Sequence, residues 1–131
     1  MRLSALVVVA ALGVGPCLAA ECPDQTQSGL DECAGASFKR ADATLNRAYK
    51  EIVRRLKDDA ARTKLLVQAQ KAWLNWRDAE CAFSSSGVQG GSIYPMIVAQ
   101  CQEKQTRARL KDLQGYLTCA EGDLDCPVLG R

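Results

Sequence analysis

Few side chains in this chain have chemistry to offer: the carboxylates Asp78 and Glu80, the run Ser84-Ser85-Ser86, and seven cysteines, with no histidine among the 131 residues. Without histidine there is no imidazole base, no triad of the usual kind and no imidazole metal ligand. Asp78 and Glu80 stand two apart, so on a helix they point to different faces and cannot flank one glycosidic bond. The serines lack the Gly-x-Ser-x-Gly turn that presents a nucleophile. No acid, base and nucleophile set can be assembled, so the chain reads as a non-enzyme with no call for a cofactor.

What remains is sulfur chemistry. Cys17 lies in an apolar leader, and the other cysteines, Cys22, Cys33, Cys81, Cys101, Cys119 and Cys126, are even in number. That parity suits disulfides in an oxidising compartment. Sequence alone leaves several pairings open, and local closure favours Cys22 with Cys33, Cys81 with Cys101, and Cys119 with Cys126. A metal site is the poorer reading, because no two cysteines have the close spacing of zinc ligands.

The leader itself, residues 1–20, has the anatomy of an export signal: Arg2, an apolar run from Leu3 to Val14, and the small residues Ala19 and Ala20 before a cleavage point. The run falls short of the ~20 apolar residues of a membrane-spanning helix, so no membrane insertion is expected once the signal is gone. Lipid attachment at Cys17 or Cys22 fits less well, since Pro16 and Glu21 precede them. Cleavage after Ala20 leaves 16 Lys and Arg against 15 Asp and Glu, a net charge of +1 that gives no general attraction to nucleic acid. The balance is uneven, with nine basic residues between Lys39 and Lys64 and an acidic tail from Asp112 to Cys126.

Three helices must position these residues. From Cys33 to Lys57, Phe38, Ala41, Leu45, Ala48, Ile52 and Leu56 recur every three or four positions, the signature of an amphipathic helix. Asp58 or Asp59 can cap a second helix, which runs through Leu65, Leu66, Ala69, Trp73, Trp76 and Cys81. Its alanines, Ala60, Ala61, Ala72 and Ala79, favour helix and close approach to neighbours. Ser84 to Gly91 breaks that helix, and Ser92 reads as the N-cap of a third, with Pro95 in its first turn and Ile97, Cys101, Leu110, Leu113 and Leu117 along it to about Thr118. The expected fold is all-α: a small disulfide-stapled bundle of three main helices with antiparallel neighbours, occupying residues 21–118. Residues 119–131 form a disulfide-closed C-terminal appendage.

Helical spacing gathers Trp73, Trp76 and Arg77 on one face with Cys81 a turn beyond, and Cys101 answers from the next helix. The polar insert between the two cysteines is then held at both ends. Trp73 reads as core, whereas Ser86, Gln89, Gly90, Gly91, Ser92, Tyr94 and Trp76 are the candidate recognition residues, rigid aromatics beside accessible backbone. Arg77 is suited to orient the insert by bonding its carbonyls, and Asp78 to cap or pair across the helix interface.

Several ordered motifs carry a family resemblance. They are Cys22 and Cys33, then Lys39-Arg40-Ala41-Asp42-Ala43-Thr44-Leu45-Asn46-Arg47-Ala48-Tyr49, then Ala69-Gln70-Lys71-Ala72-Trp73 with Arg77-Asp78-Ala79-Glu80-Cys81. Gly90-Gly91-Ser92-Ile93-Tyr94-Pro95-Met96, Cys101 and Thr106-Arg107 complete the set. Over about residues 22–117 the chain resembles the LprI-like lysozyme-inhibitor family. The resemblance implies a bacterial, exported helical domain, periplasmic or secreted, and for some members an ability to block lysozyme. It brings no contact residues with it. The rival readings are an envelope scaffold module whose basic first helix, with Arg54 and Arg55, meets an acidic partner, and an immunity protein against a bacterial toxin.

Overall fold

A computed structural model describes residues 22–128; the export-signal expectation for residues 1–20 lies outside the described residues. Three helices make up the fold: α1 (Gln27–Arg55), α2 (Ala60–Ser84) and α3 (Tyr94–Thr118), with one 3-10 turn over Ser86–Val88. The expected all-α, disulfide-stapled bundle is what the chain forms.

Helix α1 starts six residues before Cys33. Thr26 supplies the cap by accepting a hydrogen bond from the Gly29 amide at 3.2 Å, and Leu30 and Ala34 carry the apolar stripe back to it. The incoming chain crosses this first turn so closely that a side chain on Gly29 would collide with Asp24. Cys22–Cys33 fastens the crossing segment to the helix. At the other junction Asp59, of the two aspartates, caps α2, accepting from the Arg62 amide at 2.9 Å.

The tightest packing is between α1 and α3. They run parallel: Arg77 of α2 touches both Asp42 and Thr106, and further along Arg55 donates to the Leu117 carbonyl at 3.0 Å. Consecutive helices are antiparallel, as expected; the parallel pair follows because α2 carries the chain back between them. Seven-residue spacing of the buried positions Ala99, Thr106 and Leu113 on α3 meets Ala34, Ala41, Leu45 and Ile52 on α1. Small residues in the first halves of the two helices let their axes approach, and the larger ones further along fill the seam.

Helix α2 is attached differently. Its buried side chains are Gln70, Arg77 and Cys81, none of them an aliphatic core residue. Each sits on one face and makes one specific tie: Gln70 accepts from Arg109 at 3.2 Å, Arg77 reaches α1 and α3, and Cys81 is bonded to Cys101. Leu66 and Trp73 add partly buried apolar contact to the core. The alanines expected to bring α2 close to its neighbours, Ala60, Ala61, Ala72 and Ala79, instead face outward.

After α3 the Cys119–Cys126 disulfide closes a short acidic loop. Beyond it Val128 folds back and is buried with Leu45, Ile52, Leu56 and Leu113 at the core. Among the described residues no helix is long and apolar enough to cross a membrane.

Candidate functional site

The insert between α2 and α3 begins where Ser84 and Ser85 end the helix and Cys81 is fixed to Cys101, with an S–S length of 2.00 Å and Cα atoms 5.6 Å apart. Inside this clamp the chain makes consecutive tight turns. The Val88 amide donates to the Ser85 carbonyl at 3.1 Å, Gln89 to Ser86 at 3.2 Å, Gly91 to Val88 at 3.0 Å and Tyr94 to Gly91 at 3.1 Å. Gly90 has φ 82°, a left-handed conformation that a side chain would strain. The insert is therefore a compact, hydrogen-bonded protrusion rather than a slack loop.

Its surface is open. Ser86, Gln89, Gly90, Gly91 and Ser92 are all exposed, and the side chains of Ser86, Gln89 and Ser92 have no hydrogen-bond partner among the described residues. Val88 and Ile93, each 37% exposed, add apolar surface that their types and spacing in the sequence do not mark out. Tyr94 is half-buried at the base of the protrusion, where α3 begins. Ser85 is buried at the junction, with a hydroxyl that has no partner among the described residues.

Ser92 does not cap α3. Ile93 occupies the cap position without a side-chain hydrogen bond, and Pro95 lies in the first turn. The turn before the helix runs straight into it, and the Ile97 amide reaches the Ile93 carbonyl at 3.2 Å, so the hydroxyl of Ser92 stays outward.

Arg77 does not bond the carbonyls of the insert. Its side chain is only 8% exposed and points between α1 and α3. Nε donates to Asp78 at 2.9 Å, and Nη1 lies 3.4 Å from both Asp42 and Thr106. The guanidinium sits over the rings of Phe38, at 5.1 Å, and Trp73, at 5.2 Å. Planar stacking with in-plane donation is what this group does well, and here it pins all three helices together. Asp78 pairs across the interface as expected, accepting also from Gln102 at 3.2 Å.

Trp73 and Arg77, four residues apart, share the inner side of α2, whereas Trp76 falls on the outer side and is 49% exposed. It stands seven residues before Phe83 and thus about 10 Å down the helix, at the standard rise per residue. Trp76 thus lies on the exposed side of α2, outside the insert itself.

Elsewhere the charged groups are mutually engaged. Arg54 and Arg55 both bind Glu51, at 2.7 Å and 2.8 Å, which leaves them less free for an acidic partner. Hydrogen bonds from Arg54 and Arg55 hold the Glu51 carboxyl down at about 2. Around a cleft between the first halves of α1 and α3, burial opposes ionisation of Glu103. Hydrogen bonds from Arg107 and Ser37, with the charges of Arg107 and Arg40, outweigh it and keep the carboxyl below its ordinary value. Among the described residues no group of three histidine, cysteine, aspartate or glutamate side chains is placed to hold a metal ion.

The model of the family described as "Lysozyme inhibitor LprI" matches residues 17–113. The chain belongs to the LprI family. Among curated proteins it is 35% identical over 107 residues to an uncharacterized protein of Rhizobium meliloti, covering 73% of this chain and 77% of that one. It is 33% identical over 101 residues to the uncharacterized protein YecT of Escherichia coli, covering 66% of this chain and 62% of YecT. No solved structure gives a significant match. The insert closed by Cys81–Cys101, the pin formed by Asp42, Arg77 and Thr106, and Gly90-Gly91-Ser92 on the protrusion all lie within the matched residues. Membership of an inhibitor family points to binding of a protein partner rather than to catalysis.

Proposed function

We propose that this LprI-family protein is exported to the periplasm or secreted, binds lysozyme, and occludes its active-site cleft with the insert between Cys81 and Cys101. Family membership carries the choice of partner, and the three disulfides suit an oxidising compartment.

The shape of the insert supports the mode of action. A protrusion held by its own turns and by a disulfide loses little conformational freedom on binding. Exposed hydroxyl and amide groups at Ser86, Gln89, Gly90, Gly91 and Ser92 suit a cleft built around two carboxylates and hydrogen-bonded sugar. Val88, Ile93 and Tyr94 supply apolar contact around that polar tip.

A lysis assay with purified mature protein against c-type, g-type and i-type lysozymes tests the reading. Stoichiometric inhibition of at least one class at micromolar protein is expected. Failure against all three at a large excess rules it out.

A further inference from the structure

The outer face of α2 carries an apolar stripe with no role in the bundle. Leu65, Ala69, Ala72, Trp76, Ala79 and Phe83 recur at alternating steps of four and three and are all exposed, Leu65 at 65%, Trp76 at 49% and Phe83 at 77%. That spacing is the heptad seam by which one helix lies along another. Large exposed side chains in such a row mark an association surface.

We propose that this stripe is the interface of a symmetric dimer, in which α2 packs antiparallel against α2 of a second copy. Three features of the stripe make it complementary to itself. First, a two-fold axis passing midway between Ala72 and Trp76 pairs every stripe residue with another, in the manner required of antiparallel seams. Trp76 meets Ala72 of the second copy, Ala69 meets Ala79, and Leu65 meets Phe83, so large residues face small ones at the centre.

Second, the stripe has a knob at one end and a hole at the other. Phe83 projects from the last turn of α2, while Leu65 and Ala69 form one wall of an open apolar groove of about 280 Å³ that also includes Leu56, Leu66 and Tyr116. Knob and groove stand equally far from the axis, so each copy delivers Phe83 to the other's groove, as an isologous contact requires.

Third, charge along the exposed side of α2 changes sign. Arg62, Lys64 and Lys71 are exposed in its first half, and its second half carries the half-buried Glu80 and the exposed Asp78, which also accepts from Arg77 and Gln102. An antiparallel partner sets basic half against acidic half, and a parallel one sets like against like. The two inserts then project from opposite ends of the pair. This proposal does not rest on lysozyme being the partner.

Sedimentation equilibrium of the mature protein over a range of concentrations provides the test. Mass rising from one to two chains is expected, with the emission of Trp76 moving to the blue over the same range. Trp76→Glu and Phe83→Glu, both at exposed positions, abolish the rise while leaving the helical circular dichroism unchanged. Leu65→Arg alone does the same, and combining it with Phe83→Glu restores dimer, because those positions face each other only in the antiparallel register. Mass that stays at one chain throughout overturns the proposal. So does a dimer indifferent to Trp76→Glu and Phe83→Glu, which places the contact on another face. A blue shift of Trp76 that appears only with anionic lipid vesicles also overturns it, since a lipid surface would then cover the stripe.

Discussion

A guanidinium in contact with two rings while its edge donates to three oxygens is a demanding arrangement to replace. Arg77 makes contact with Phe38, Asp42, Trp73, Asp78 and Thr106. A lysine in its place keeps the charge but has neither the flat face nor the fork of donors. Arg77→Lys is expected to lower unfolding stability by on the order of 2 kcal/mol, read from denaturant midpoints, because a buried charge loses part of its pairing. Residue type was enough to foresee Arg77 as a structural tie. Its partners were hidden, because Asp42 and Thr106 lie 35 and 29 positions away and only folding brings them together. The carbonyls of the insert, nearer in sequence, turned out to be nearer only along the chain.

At the scale of elements, the disulfide is the covalent tie between the two ends of the insert, added to its own hydrogen-bonded turns. Cys81 and Cys101 are 20 residues apart in sequence. Removing the bridge with Cys81→Ala and Cys101→Ala together is expected to cost about 3 kcal/mol, by the loop-closure estimate. Thermal or denaturant unfolding measures the loss, and faster amide exchange through the insert should accompany it. Much at this scale could be read from sequence: the strong stripe of α1, the break at the serines and glycines, and the pairing of neighbouring cysteines. Two elements were harder. The start of α1 was obscured by Ser28 and Gly29, poor helix formers retained by the Thr26 cap and the Cys22–Cys33 bridge. Helix α2 misled because it has an inner face of polar anchors and an outer face of apolar residues, so apolar position alone did not identify the inside.

For the whole molecule, the parallel pairing of α1 with α3 and the return of Val128 to the core are long-range facts with no local signature. The pH response is also a property of the whole chain. With no histidine, stability should be nearly flat from about pH 5 to 8. Hydrogen bonds from Arg54 and Arg55 lower the Glu51 carboxyl from 4.5 to about 2 on folding. A folded value below the unfolded one means that its contribution is complete above pH 4.5 and disappears as pH falls toward 2. Asp24 and Glu103 shift in the same direction. The melting temperature is thus expected to decline within that acid window. Part of the decline reflects weakening of the Glu51–Arg55 pair, whose arginine also holds the end of α3 through the Leu117 carbonyl.

If the insert is the surface that meets lysozyme, binding must shield its backbone. Hydrogen–deuterium exchange of the mature protein, alone and saturated with an inhibited lysozyme, reads that surface directly. Slowed exchange concentrated in amides of residues 86–94 is the result predicted here. Unchanged exchange across 86–94, with new protection on α1 or α3 instead, would contradict it.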